Sequence, residues 1–210
     1  MKTRAIHDQE LEAILTARFE QSISLPETFF HAEADTIAAA CQAMARRFHQ
    51  GGRLLTFGNG ACATDAQHVS VEFVHPVVVG KRALPAIALT NDSAALSQAL
   101  ARSAPEQGFA QHLKTLARAR DIALGFSLDG TCQNIAQALE LGGRMGLLTL
   151  GLTGADGGLL KQSGLDFCFV VPSRDPMLVQ EIHETLYHVL WELVHVFFEQ
   201  PGVLSPGVVA

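Results

Sequence analysis

The sequence predicts an α/β fold: a doubly wound, five-stranded parallel sheet of order 2-1-3-4-5, with two helices ahead of the sheet and a long helix behind it. Two observations carry that expectation. Five short apolar runs alternate with stretches of helical spacing, the pattern of parallel strands with helices packed on both faces. The first run leads straight into Gly58-Asn59-Gly60 and then a helical stretch, a strand, tight turn and helix whose free first-turn amides suit an anion. A chain of 210 residues is long for one simple domain and short for two, so one domain over residues 1–210 is expected.

Ahead of the sheet, apolar side chains recur at helical spacing over residues 7–30 and 34–50: Leu11, Ile14, Leu15 and Phe19, then Ile37, Ala40, Cys41, Met44 and Phe48. The stretch from Ser22 to Pro26 is expected to interrupt the first helix, because proline disfavours helical geometry in the residue before it. Residues 1–50 therefore read as a helical pair, with an apolar stripe wide enough to pack against another subunit. The core follows over 51–175. Its strands are expected at 54–57, 84–89, 122–126, 146–150 and 166–171, and its helices at 63–74, 93–102 with 106–119, 132–142 and 157–162. Residues 176–199 form the longest helical pattern, and 200–210 a tail.

Composition excludes several classes. Nearly half the residues are hydrophobic, yet no apolar run reaches spanning length without a Gly, a Pro or a charge, so no transmembrane helix is expected. The amphipathic, acidic N-terminus is not a signal sequence, and a cytoplasmic location follows as an expectation. A net charge of −6 without clustered Lys or Arg argues against nucleic acid as a partner. Cys41, Cys62, Cys132 and Cys168 form no CxxC spacing and are expected reduced.

Two stretches carry chemistry. After the glycine turn, His68 and Glu72 fall four residues apart on one helical face, and Glu72 sits among Val69, Val71, Phe73 and Val74, where a carboxylate is costly to bury without a partner. In a 2-1-3-4-5 sheet, ligands bind where the strand order reverses, which brings the loops at 58–64 and 127–132 side by side. The last helix sets Gln180, Glu181, His183, Glu184, His188, Glu192 and His195 on an apolar background. There His188 and His195 share a face, with Glu184 one turn before His188.

The segments GNGACATDAQHVSVEF, LPAIALT, DIALGFSLDG, LTLGLTGADGG and QEIHETLYH, in this order and spacing, resemble the sugar isomerase (SIS) domain. Within it they resemble the phosphoheptose isomerases, which convert sedoheptulose 7-phosphate to D-glycero-manno-heptose 7-phosphate. The resemblance covers nearly the whole chain, including the leading helices. It implies a divalent metal, zinc first, at His68, Glu72, Gln180 and His188, with Glu72 as base and His188 as acid. It also implies a sugar phosphate held by Asn59, Gly60, Cys62, Asn91, Ser127, Asp129, Thr131, Cys132 and Gln180, and a homotetramer. The chemistry agrees, since aldose–ketose isomerisation through an enediol needs a base, an acid near the oxygens and stabilisation of an oxyanion. A nitrogen and oxygen ligand set suits zinc without selecting it. On one straight helix Gln180 and His188 lie about 12 Å apart, so either the helix is distorted, or two subunits contribute, or Glu184 takes the place of Gln180.

The chain also departs from the family. Cys62 stands where relatives carry serine, and Ser127-Leu128-Asp129-Gly130-Thr131-Cys132 replaces a Ser-Thr-Ser-Gly-Asn-Ser run. Pro76 stands in place of an arginine. Asp129 puts a negative charge where a dianion is expected, which weakens phosphate binding unless a cation intervenes. Two other readings follow: a non-catalytic SIS module that senses a sugar or binds a protein, and a dinucleotide enzyme resting on a loose GxGxxA at Gly58, Gly60 and Ala63. The second is weak, because Asp92 lies too far beyond Gly58 for the usual ribose contact.

Overall fold

The computed structural model describes residues 8–101 and 107–200. His7, Arg102 and Glu106, at expected helix ends, and residues 201–210 of the expected tail lie outside the described residues. The sheet has five strands, β1 (Leu54–Gly58), β2 (Ala86–Ala88), β3 (Ile122–Ser127), β4 (Leu148–Gly154) and β5 (Phe167–Val171). All pairings are parallel and the order is β2-β1-β3-β4-β5, as expected. Strands β1, β3 and β4 are buried at every residue, which is why they appear in the sequence as unbroken apolar runs rather than as alternation.

Strand β2 is shorter than the expected 84–89. Pro85 has no N–H to give to a ladder, although its carbonyl accepts from Leu54 N at 2.9 Å, and at Leu89 the chain turns into a 3₁₀ turn, Leu89–Asn91. Strand β4 begins later than the expected 146, because Gly146 and Leu147 close the preceding helix through bonds to the Gly143 and Gly142 carbonyls.

The helices are α1 (Asp8–His49), α2 (Ala61–Val74), α3 (Ser93–Ala101), α4 (Gly108–Leu116), α5 (Gln133–Arg144), α6 (Gly158–Gln162) and α7 (Pro176–Phe198). They cover both faces of the sheet. Phe29, Met44, Phe73, Leu186 and Leu190 from α1, α2 and α7 pack on one face with Leu124 and Phe126. Phe109, Leu113, Ile135 and Leu139 from α4 and α5 pack on the other with Phe57.

The expected helical pair at the N-terminus is instead one helix of 42 residues, with Pro26 inside it. A mid-helix proline removes one backbone bond and costs about 3 kcal/mol or more. Tertiary contacts on both sides of it offset that cost. Before it, Arg18 pairs with Asp175 at 2.7 Å and with Glu181 at 2.8 Å, and the Ser22 hydroxyl donates to Glu181 at 2.8 Å. After it, Phe29 is buried in the core.

Helix α7 starts where the sequence says it should. The Asp175 side chain caps it by accepting from the Met177 and Leu178 amides, and Pro176 occupies the first turn, where no N–H is needed. Among the described residues no helix is long and apolar enough to cross a membrane.

Candidate active site between two parallel helices

Helices α2 and α7 each follow a strand of the same parallel sheet, so both leave its carboxyl edge in the same direction. Three of their hydrogen bonds share an offset of 119 residues: Gln180 with Ala61, Tyr187 with His68, and Trp191 with Glu72. Side chains from the two helices therefore meet turn against turn.

The C-terminal half of α2 supplies the centre of the site. His68 Nε2 lies 3.4 Å from Glu72 Oε1, and His188 Nε2 approaches the same oxygen at 3.0 Å. The three ligand atoms fall within 4.8 Å of one another. Glu72 is 12 % exposed, against 44 % for His68 and 45 % for His188, so a buried carboxylate lies behind two imidazoles that open to solvent. Its second oxygen, Oε2, is buried and has no hydrogen-bond partner among the described residues. Trp191 fixes the backbone below by donating Nε1–H to the Glu72 carbonyl at 3.0 Å.

Of the four residues expected to share a metal, His68, Glu72 and His188 converge, while Gln180 lies two turns before His188 and gives its amide to Asp65 at 2.9 Å. Glu184 is nearer, its Oε1 3.8 Å from His68 Nδ1. Two members of this cluster gave no signal in the sequence. Asp65 is 5 % exposed, burial pushes its carboxyl up, and the Gln180 amide opposes that shift. Tyr187, the only tyrosine in the chain, places its hydroxyl 2.8 Å from His68 Nδ1. Burial, reinforced by nearby carboxylates, pushes its phenol up.

The other end of α2 faces a different environment. A Cβ on Gly58 would stand 2.4 Å from the Cys62 carbonyl oxygen, and Gly60 has φ 57, so only glycine fits this turn. The N-cap residues Gly60 and Cys132 give α2 and α5 no side-chain cap; the Cys62 and Ala63 amides donate to the Asn59 and Gly60 carbonyls at 3.0 Å, and the Ile135 amide to the Cys132 carbonyl at 3.1 Å. Asn59 and Asn134 exchange two amide hydrogen bonds of 2.9 Å and tie the two loops together at the strand-order reversal. Asn59, Gly60, Thr90, Phe109 and Asn134 line an adjoining cavity of about 330 Å³, at the small end of ligand pockets, and the Thr90 hydroxyl is buried with no partner among the described residues.

Within the second loop the donors are already engaged. Asp129 Oδ1 accepts from the Thr131 amide at 3.0 Å, the Thr131 hydroxyl at 2.8 Å and the Ser127 hydroxyl at 3.5 Å. Those bonds, the Thr131 amide first, hold its carboxyl below the usual range. Burial pushes the Cys62 thiol up to about 12, so it is no nucleophile, and Cys132 is half-buried beside α5. Asn91 is exposed at the end of the 3₁₀ turn. Asp92 caps α3 by accepting from Ala95 N at 2.9 Å, a structural task that removes the ribose contact sought for it.

The sequence profile of the SIS domain matches residues 19–154. This chain belongs to the SIS domain family. A phosphoheptose isomerase of Thermodesulfovibrio yellowstonii is 36 % identical over 194 residues, covering 92 % of this chain and 96 % of the relative. One of Desulfovibrio desulfuricans is 37 % identical over 203 residues, covering 96 % and 95 %. The structure of a phosphoheptose isomerase from Francisella tularensis superposes with a TM-score of 0.82 at 30 % identity, covering 88 % of this chain and 97 % of that one. That of Neisseria gonorrhoeae gives 0.81 at 27 %, covering 88 % and 98 %. Within the SIS domain family the chain falls in the phosphoheptose isomerase group and is an isomerase.

Proposed function

We propose that this chain is a metal-dependent ketose–aldose isomerase acting on a sugar phosphate, with sedoheptulose 7-phosphate as the first candidate. The observation that carries the reading is the Glu72 carboxylate held 3.0 Å from His188 Nε2, buried behind two imidazoles and keeping one oxygen unpaired. The residues fit a divalent cation. Two imidazoles and a carboxylate converge within 4.8 Å, and the orphaned Glu72 oxygen is costly to bury without a positive partner. His68, Glu72 and His188 would hold that cation with Gln180 assisting, zinc first, and it would supply Lewis acidity to the two substrate oxygens.

This chain's own groups account for the proton movements. Glu72 takes the proton from C1 of the ketose and returns it to C2, on one face of the enediol. His188 moves a proton between the two oxygens, so that the C2 carbonyl becomes a hydroxyl as the C1 hydroxyl becomes a carbonyl. No proton is gained or lost overall. The positive ends of α2 and α5, with Asn59, Gly60, Ser127 and Thr131, receive the phosphate end. A homotetramer in the cytoplasm goes with this reading. Self-association is supported by Leu11, Ile14, Leu15, Phe19 and Ile23, an exposed apolar stripe along the first half of α1.

The second reading, a sugar-binding module without turnover, is favoured by Asp129, whose carboxylate already uses the donors of its loop. Glu72→Gln separates the two, since it preserves shape and removes the base. Under the isomerase reading, turnover of sedoheptulose 7-phosphate, followed by formation of the aldose, falls about 10²- to 10⁴-fold. Unchanged turnover in that variant removes Glu72 from the chemistry.

A further inference from the structure

The structure assigns a positioning role to Tyr187: its hydroxyl engages Nδ1 of His68, which fixes the ring so that Nε2 faces Glu72 and the ligand, and biases the tautomer of the metal-free site. The inference rests on the metal-site reading of His68, Glu72 and His188. A histidine on an otherwise solvent-facing turn has two neutral tautomers and a freely turning ring unless something holds one nitrogen. His68 is 44 % exposed, and among the described residues only the Tyr187 hydroxyl, 2.8 Å from Nδ1, is within ordinary hydrogen-bond distance. Glu72 Oε1 at 3.4 Å from Nε2 and Glu184 Oε1 at 3.8 Å from Nδ1 are both longer.

The phenol is itself held. Tyr187 is 1 % exposed, and its ring packs edge-on against Phe126 at 6.1 Å, His188 at 4.9 Å and His68 at 5.5 Å. One buried ring therefore touches both histidines of the cluster and reports the position of the sheet to them through Phe126. A hydroxyl suits the place because it both donates and accepts. With the site empty it donates to Nδ1, leaving Nε2–H directed at Glu72. When Nε2 instead offers its lone pair to a cation, the ring's single proton has moved to Nδ1 by exchange through solvent, and the phenolic oxygen accepts it there. A glutamate in the same place would favour only the second arrangement and an apolar side chain neither. Outer-shell partners of this kind typically contribute 10- to 100-fold to metal affinity.

Tyr187→Phe removes one oxygen and keeps the ring, and it has two readouts. In the metal-free protein, nitrogen-15 NMR of the imidazoles should show His68 as one tautomer in the wild type and as a mixture in the variant. Zinc affinity, read by competition with a chromophoric chelator, should fall about 10- to 100-fold. A thermal melt recorded alongside separates this from simple loss of packing, which would lower the melting temperature and leave both readouts where they were. Unchanged tautomer and unchanged affinity overturn the assignment, as does a tautomer change produced by Glu184→Gln and not by Tyr187→Phe. If neither protein takes up zinc, the metal-site reading falls, while the tautomer still decides the role of Tyr187.

Discussion

The two ends of α2 differ in what they keep. Towards its C-terminus, His68 and Glu72 meet His188 from α7 in a cluster whose groups point at one another and leave a buried carboxylate oxygen unpaired. At its N-terminus, the loops that should receive an anion have Cys62 and Cys132 in place of hydroxyls, and Asp129 takes up the donors that remain. A proton-transfer centre tolerates almost no exchange of residue type, because each group must both sit within bond distance and titrate correctly. A recognition loop built on backbone amides can lose side-chain donors and still attract charge. On the proposed isomerase reading, the contrast separates a cluster that reacts from a loop that binds.

The largest test of that contrast acts on the cluster. His68→Ala should abolish metal content, measured by elemental analysis of the purified protein, while the far-ultraviolet circular dichroism stays unchanged. Full metal retention would remove the assignment. Because histidine must be neutral to coordinate, occupancy in the wild type should also fall on acidification.

A second test asks whether acid acts on α7, the helix of His188. His183 is fully buried on α7 against Phe126, with neither ring nitrogen partnered among the described residues, and burial lowers its pKa from 6.5 to about 4. The unfolded chain therefore binds more protons than the folded one between those values. Stability is full above about 6.5, declines as the pH falls towards about 4, and the loss is about 3 kcal/mol at most. Denaturant melts at pH 7.5 and pH 4.5, in chelator to keep metal out of the comparison, should show that decline in the wild type, and His183→Leu should flatten it. An equal slope in both proteins places the acid sensitivity elsewhere.

The smallest effect belongs to the loop. Asp129→Ser, alone or with Cys62→Ser and Cys132→Ser, should tighten sugar-phosphate binding, with the removed charge contributing most. The gain should be about 1.5–3 kcal/mol, the range for hydrogen bonds to charged groups, read by calorimetry. If the wild type already binds sedoheptulose 7-phosphate tightly and Asp129→Ser weakens it, Asp129 holds a cation or a sugar hydroxyl, and the contrast between the two ends of α2 disappears.

The sheet was legible because its central strands are buried on both faces, so apolar runs alone mark them. His68 and Glu72 were legible for a similar reason, since a spacing of four is a statement about one helix. His188 stood out on the last helix, but its partnership with His68 and Glu72 came only from the resemblance, because no local rule joins residues on separate helices. Tyr187 and Asp65 were silent in the sequence, as their roles exist only once α2 and α7 lie parallel in one alignment. Pro26 shows the reverse error. A sound local rule ended a helix there, and ion pairs between Arg18 and residues of the α7 region carried the helix through.

The shared alignment of α2 and α7 also has a topological side. His68 and Glu72 lie at the start of the sheet's chain path and His188 at its end, with β2 to β5 strung between them. A bond joining those residues through a common ion would turn that whole length of chain into a closed ring, as a disulfide would, but one that opens and closes with ion supply. The same three side chains would then serve as a reversible cross-link for the sheet, and occupancy of the centre and survival of the fold would become one thermodynamic quantity.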